Sequence, residues 1–256
     1  VRIAVLLNMV PDLVEELEID STGKALDTQW MRYVISESDD HALEQALLLK
    51  DRHGASVSVL AMDYGDADQV LYAALARGAD EAVNLTGIPE TGLGKRAAAA
   101  TFKEALGGIR PDLILAGVQA IDDLDAHVAG MLGGMMALPY VGVTRSVEPS
   151  GEGKVLVQKE YPGGAAAEIE VTLPAVVGVL SAPQPPRYVP VARIREVMKT
   201  RTLDKREAVA VAVPAEPAVI RLFKPEPAEH AQMLDGSPEE LAGQIIKILE
   251  DRGLAP

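Results

Sequence analysis

The chain has 256 residues, 48% hydrophobic but only 4% aromatic, enough to bury one large or two small aliphatic cores and unlike a disordered composition. It contains no cysteine, which excludes disulfides, thiolate metal sites and iron–sulfur ligation. A net charge of −14 disfavours general nucleic-acid binding, and without a stretch of about 20 apolar residues or a basic leader the expectation is a soluble, unprocessed, cytoplasmic chain with no direct membrane insertion.

In chain order, short aliphatic runs alternate with helical spacing. Strands are predicted over 2–8, 56–62, 81–85 and 112–117, all short and aliphatic, as in a parallel sheet covered on both faces. Between them, apolar residues at i, i+3 and i+4 predict helices over 39–52 (Ala42, Leu43, Ala46, Leu47), 67–77 (Val70, Leu71, Ala74, Leu75) and roughly 93–107. After Pro139 come 140–147, 154–160 and 166–173, separated by Ser-Gly-Glu-Gly and Tyr-Pro-Gly-Gly turns, which read as an antiparallel meander. Pro174 opens another buried strand, AVVGVL. The prolines at 183, 185, 186 and 190 then impose an extended, exposed loop, followed by a short helix over 193–199. Residues 207–236 carry Pro214, Pro217, Pro225 and Pro227 and read as a wrapping arm. Ser237-Pro238-Glu239-Glu240 starts a last helix that runs to about 252 and ends at Gly253. The fold class predicted is α/β, a doubly wound, mostly parallel sheet with an antiparallel extension and a C-terminal arm. Residues 1–206 form the α/β domain, including the loop 181–201, and 207–256 the arm and helix.

Charge is segregated. Residues 187–206 hold seven basic side chains (Arg187, Arg193, Arg195, Lys199, Arg201, Lys205, Arg206) against Glu196 and Asp204. The patch reads either as a docking surface for an acidic partner or as a solvated helix with snorkelling basic stems.

Chemistry-bearing residues cluster after the strand ending at Gly117, in GVQAIDDLDAHV. Asp122, Asp123, Asp125 and His127 would form a metal site if the helix began early enough to put Asp123 and His127 on one face. The reading placed ahead of it is that these acids cap backbone N–H groups at the start of that helix. A strand end, a turn and a helix N-terminus also present backbone donors to a phosphate, with Gly117, Ala120, Ala126, Ala129 and Gly130 allowing close approach. No G-x-G-x-x-G, P-loop, G-x-S-x-G or H-E-x-x-H occurs, and His41, His53, His127 and His230 pair with no nucleophile. Asp12, after Pro11, reads as a turn acid that could reach a ligand.

GVQAIDD, followed by a small-residue helix ending in Leu138-Pro139, resembles the Gly-Lys/Arg-Gln-Ala-Ile-Asp-Asp/Gly-Asp signature of the electron-transfer flavoprotein beta subunit family. NMVPD at 8–12, ALEQALLLKD at 42–51, AALARGADEA at 73–82, YPGG at 161–164, LPAVVG at 173–178, PRY at 186–188 and Met198-Lys199-Thr200-Arg201 match in the same order. The resemblance implies a subunit paired with a larger alpha subunit, the two holding one FAD that takes electrons from dehydrogenases of the acyl-CoA dehydrogenase type in fatty acid oxidation and passes them to a quinone oxidoreductase. It implies a structural AMP in this subunit, or a second FAD in its place in electron-bifurcating relatives. It further implies an electron carrier rather than an enzyme, with no side-chain catalysis and no metal. A reading of another class is a flavin-free nucleotide-sensing or adenylating protein.

Carried over position by position, the resemblance puts the nucleotide at Leu6, at Ser36, Glu37, Ser38 and Asp39, at Met62, and at Gly117, Val118, Gln119, Ala120, Ile121, Asp122, Asp123, Leu124, Asp125, Ala126, His127 and Val128. All lie near carboxyl ends of predicted strands or a helix start, where ligands bind in such sheets. Four departures stand out: Val118 replaces Lys or Arg, Leu124 replaces Asp, His127 replaces Gln, and Ser36-Glu37 replaces Asn-Pro. They weaken a phosphate site or change its contacts. The 181–201 loop resembles the family's recognition loop. Arg187 and Tyr188 lie within it, Val191 or Ile194 is its apolar anchor, and the nine residues between Tyr188 and Met198 are about three more than usual.

Overall fold

The computed structural model describes residues 1–89, 92–123, 127–209, 211–214, 219–226, 231 and 233–254. They fall into two units, Val1–Ile220 and Arg221–Pro256.

The first unit is built on β1 (Arg2–Leu7), α1 (Glu37–His53), β4 (Ser56–Met62), α2 (Ala67–Arg77), β5 (Glu81–Thr86), α3 (Lys95–Ile109), β6 (Leu113–Gly117), α4 (Val128–Met136), the meander β7 (Tyr140–Gly151), β8 (Lys154–Glu160) and β9 (Ala166–Thr172), β10 (Ala175–Val179), α5 (Val191–Thr200) and β11 (Asp204–Glu207). Two short strands, β2 (Met9–Pro11) and β3 (Tyr33–Ile35), pair separately as an antiparallel ribbon. The nine-stranded sheet has the order β11-β5-β4-β1-β6-β10-β7-β8-β9, parallel from β11 to β7 and antiparallel beyond. The doubly wound α/β expectation holds.

The aliphatic runs become central strands because both faces are covered. Ile3, Val5 and Leu7 of β1 pack with α1 and α2, whereas Ala4 and Leu6 pack with Phe102, Ala129 and Leu132 of α3 and α4. Glycine ends two of the helices where they return to the sheet: Gly54 sits at φ 68° and donates to the Lys50 carbonyl, and Gly78 at φ 126° closes α2. From β1 the chain winds outward to β4 and β5, then crosses back so that β6 lies on the other side of β1. The crevice between β1 and β6 is therefore the topological switch point.

Three elements escape the periodicity. β2 and β3 have three residues each, and β11, Asp-Lys-Arg-Glu, has no apolar run; it is held as an edge strand by backbone pairing to β5. The predicted third helix is shifted to Lys95–Ile109.

The second unit contains α6 (Pro238–Asp251), opened by a complete capping box: the Ser237 side chain accepts from the Glu240 amide and the Glu240 carboxylate from the Ser237 amide. Among the described residues no helix is long and apolar enough to cross a membrane.

Candidate nucleotide site

The switch-point crevice is closed by one carboxylate. Asp39, buried in the first turn of α1, accepts hydrogen bonds from the Asn8 amide at 3.0 Å and the Asn8 Nδ2 at 3.1 Å, both beyond β1, and from the Gly117 amide at 2.5 Å, ending β6. Burial pushes its carboxyl up to about 6 even though three N–H donors favour the ionised form; nearby Asp123 adds to the rise. Ser38 donates to the Gln119 carbonyl at 2.8 Å, a second tie between α1 and the loop after β6. Glycine at 117 is required by this approach: a Cβ there would sit 2.8 Å from the Asp39 nitrogen and overlap Ser38 Oγ.

The loop after β6 differs from the sequence expectation. α4 starts only at Val128, capped by His127 without a side-chain hydrogen bond, so Asp122 and Asp123 do not cap it and Asp123 shares no helix face with His127. The chain first makes a tight turn, in which Asp123 Oδ2 accepts from the Ala120 amide at 2.8 Å and the Asp123 amide donates to the Ala120 carbonyl at 3.1 Å. Local Asx hydrogen bonding at a turn outcompetes early helix initiation. Leu124, Asp125 and Ala126 lie outside the described residues. Among those described, no group of three or more His, Asp or Glu is arranged to hold a metal ion.

Three contributors were not singled out from sequence. Lys95, at the start of α3, places its ammonium 3.0 Å from Asp122 and 2.9 Å from Asp123. Burial lowers its pKa, but the two carboxylates outweigh this and hold it above the ordinary lysine value. Tyr64, just after β4, donates to the Met9 carbonyl at 2.9 Å and stacks edge-on against Tyr33, with centroids 5.7 Å apart. Burial pushes its phenol up to about 12, so it stays a donor. Asn8 completes the set. The start of α3 and a tyrosine after a strand carry no local pattern that marks a site; only the sheet order brings them together.

Around these residues a cleft of about 700 Å³, open to solvent, lies between the β2–β3 ribbon and its connecting loop and the carboxyl edge of the sheet; Met9, Tyr33, Tyr64, Leu93, Lys95 and Asp122 contribute to its lining. This is the size range of small-molecule sites. Of the predicted nucleotide residues that are described, only Asp122 lines it: Leu6, Met62, Ser36 and Val128 are buried; Glu37, Gln119, Ile121, Asp122 and His127 are exposed, and Gly117, Val118 and Asp123 intermediate. The donor set fits an adenine nucleotide: acids for ribose hydroxyls, aromatic and apolar walls for a ring, and helix starts at α1 and α4 that no side chain caps. Asp12 accepts from the Val14 amide, a turn contact.

The predicted docking segment divides in two. Arg187 is committed to the fold, its guanidinium pairing with the buried Glu44 at 2.9 Å and with Asp51 at 3.0 Å. Tyr188 is 83%, Val191 58% and Met198 47% exposed, while Ile194 lines a groove with Leu43 and Val70. Arg193, Arg201, Lys205 and Arg206 contact Glu196, the Asp80 carbonyl, Asp68 and Asp204 respectively.

These features define a Rossmann-like, doubly wound α/β protein whose functional groups gather at the carboxyl edge of its sheet. Residues 25–217 match the electron transfer flavoprotein domain family. The chain is similar to the electron transfer flavoprotein subunit beta of Methylophilus methylotrophus, 26% identical over 261 residues that cover 98% of each chain. It is 34% identical to the protein of the same name from Clostridium acetobutylicum over 193 residues, 75% of this chain and 73% of that one. It is also 29% identical to the caffeyl-CoA reductase-Etf complex subunit CarD of Acetobacterium woodii, over 98% of both chains. The chain belongs to the electron transfer flavoprotein beta subunit family.

Proposed function

We propose that this chain is the beta subunit of a heterodimeric electron-transfer flavoprotein that carries electrons without side-chain catalysis of its own. It pairs with an alpha subunit, the two holding an FAD that supplies the redox chemistry when bound. A dehydrogenase of the acyl-CoA dehydrogenase type donates the electrons and a quinone oxidoreductase accepts them. An AMP held by this subunit has a structural role. The observation that supports the nucleotide assignment is the tie of Ser38 and Asp39 to Gln119 and Gly117 across the switch-point crevice, beside an open cleft lined by Asp122 of the same loop. Here the chain binds and orients. Asp39 clamps β1 to β6, Tyr64 fixes the strand end at Met9, and α5 presents an exposed apolar face to the donor.

A second reading, a bifurcating subunit holding a second FAD in place of AMP, is favoured by the extent of the cleft. Met9, Tyr33, Tyr64 and Leu93 give it aromatic and apolar walls against which a second planar ring could rest. Co-purification with the alpha subunit, acid extraction and chromatography separate the two. About one FAD and one AMP per heterodimer is the expected result. Two FAD and no AMP would establish the second reading, and a colourless complex without nucleotide would overturn both.

A further inference from the structure

Position 118 of the loop after β6 is Val, not a cation, and four of the loop's described backbone amides are already engaged. The Gly117 amide is held by Asp39, the Val118 amide by the Val179 carbonyl at 2.8 Å, the Ala120 amide by Asp123 and the Asp123 amide by the Ala120 carbonyl. The acids Asp122 and Asp123 add negative charge. A phosphate placed here would meet net repulsion unless another element supplied positive charge.

α3 supplies it. Among the described residues lining the cleft, Lys95 is the cationic one; its side chain is only 19% exposed, and its ammonium lies between Asp122 and Asp123. The two pairs are unequal. The Asp123 side chain is 4% exposed and also accepts from the Ala120 amide, so breaking that pair would strand a buried charge. Asp122 is 39% exposed and can turn into water at small cost, because a solvent-facing ion pair contributes at most about 1 kcal/mol. A lysine ammonium has three donors, so it can keep Asp123 while serving another anion.

We infer that Lys95 is the phosphate-selecting residue of the nucleotide site, exchanging the exposed Asp122 carboxylate for a phosphate oxygen of the nucleotide while Asp123 keeps it in place. In this chain the positive charge beside the loop after β6 comes from the start of the neighbouring helix. The inference rests on the nucleotide reading above.

The test uses the complex of the full chain with its alpha subunit, stripped of nucleotide and titrated calorimetrically with AMP and, separately, with adenosine. Wild type should prefer AMP. Lys95→Met should weaken AMP by about 10- to 100-fold, the loss of one charged hydrogen bond, while leaving adenosine unchanged. Lys95→Arg should restore most of the preference. Asp122→Asn should tighten AMP roughly two- to fivefold by removing the competing carboxylate. Equal weakening of AMP and adenosine in Lys95→Met would reduce Lys95 to a structural tie, and an Asp122→Asn complex with unaltered AMP affinity would overturn the exchange. If wild type prefers AMP and Lys95→Met keeps that preference, the Lys95 assignment alone fails. A wild type that binds neither ligand, or both equally, removes the AMP reading together with this one.

Discussion

Asp39 is the residue on which the crevice depends, and its ionisation should be visible in stability. Its folded-state pKa of about 6 lies above the ordinary 3.8, so the folded chain binds this proton more tightly than the unfolded one. By linkage, the penalty of a buried charge, about 3 kcal/mol, is present in full above roughly pH 6 and disappears as pH falls toward 4. Asp112 works in the opposite direction: the Arg2 amide and guanidinium hold it below the usual range, so its contribution is lost as pH falls further. Urea denaturation across pH 4–7 should show that Asp39→Asn removes the fall in stability that wild type shows as pH rises from 4 to 6. An unchanged slope would mean Asp39 does not titrate there. Gly117→Ala should cost about 1–3 kcal/mol by forcing the Asp39 and Ser38 contacts apart. A thermal shift within error of wild type would refute that close approach.

At the scale of elements, α5 separates two roles that the basic run 187–206 mixes. Arg187 is an internal strut. Arg187→Ala should destabilise the fold by about 3 kcal/mol because it leaves the buried Glu44 unpaired, and an equilibrium denaturation curve that overlays wild type would contradict this. Val191 and Met198 are the exposed apolar pair of the helix, whereas Ile194 faces the groove toward α2. On the docking reading proposed above, Val191 is better placed than Ile194 for an anchor. Replacing Val191 and Met198 with Ser should slow flavin reduction by the cognate dehydrogenase at least about tenfold, the scale of a hot-spot loss, with nucleotide content and melting temperature preserved. Reduction kinetics equal to wild type would rule out this face as the docking surface.

For the whole molecule, the distribution of charge matters more than its total. In a chain of net charge −14, Arg195 and Lys199 have no ion-pair partner among the described residues and stand on the exposed helix α5. An acidic donor would be repelled over most of the surface and steered to this helix. Arg195→Gln with Lys199→Gln should lower the association rate by a few-fold and flatten its dependence on ionic strength in stopped-flow reduction. Retention of the wild-type salt dependence would place the steering charge elsewhere.

The amino-acid sequence by itself determined the layered α/β fold, because apolar runs at strand length and i, i+3, i+4 spacing are local signals that burial on both faces of a sheet reinforces. It also carried the family, through an ordered series of motifs around GVQAIDD. What only the tertiary structure decided is how the opposing charges of the site are balanced. Asp39 meets Gly117 across 78 positions, and Lys95 meets Asp122 across 27, because β6 crosses back beside β1 and brings the loop after it against the starts of α1 and α3. β11 and the β2–β3 ribbon were hidden for a related reason: strands of three or four residues are stabilised by pairing with a partner rather than by their own pattern. The acids of the signature loop read locally as helix caps, and the fold turns them instead into one half of a charge cluster whose other half lies on the neighbouring helix.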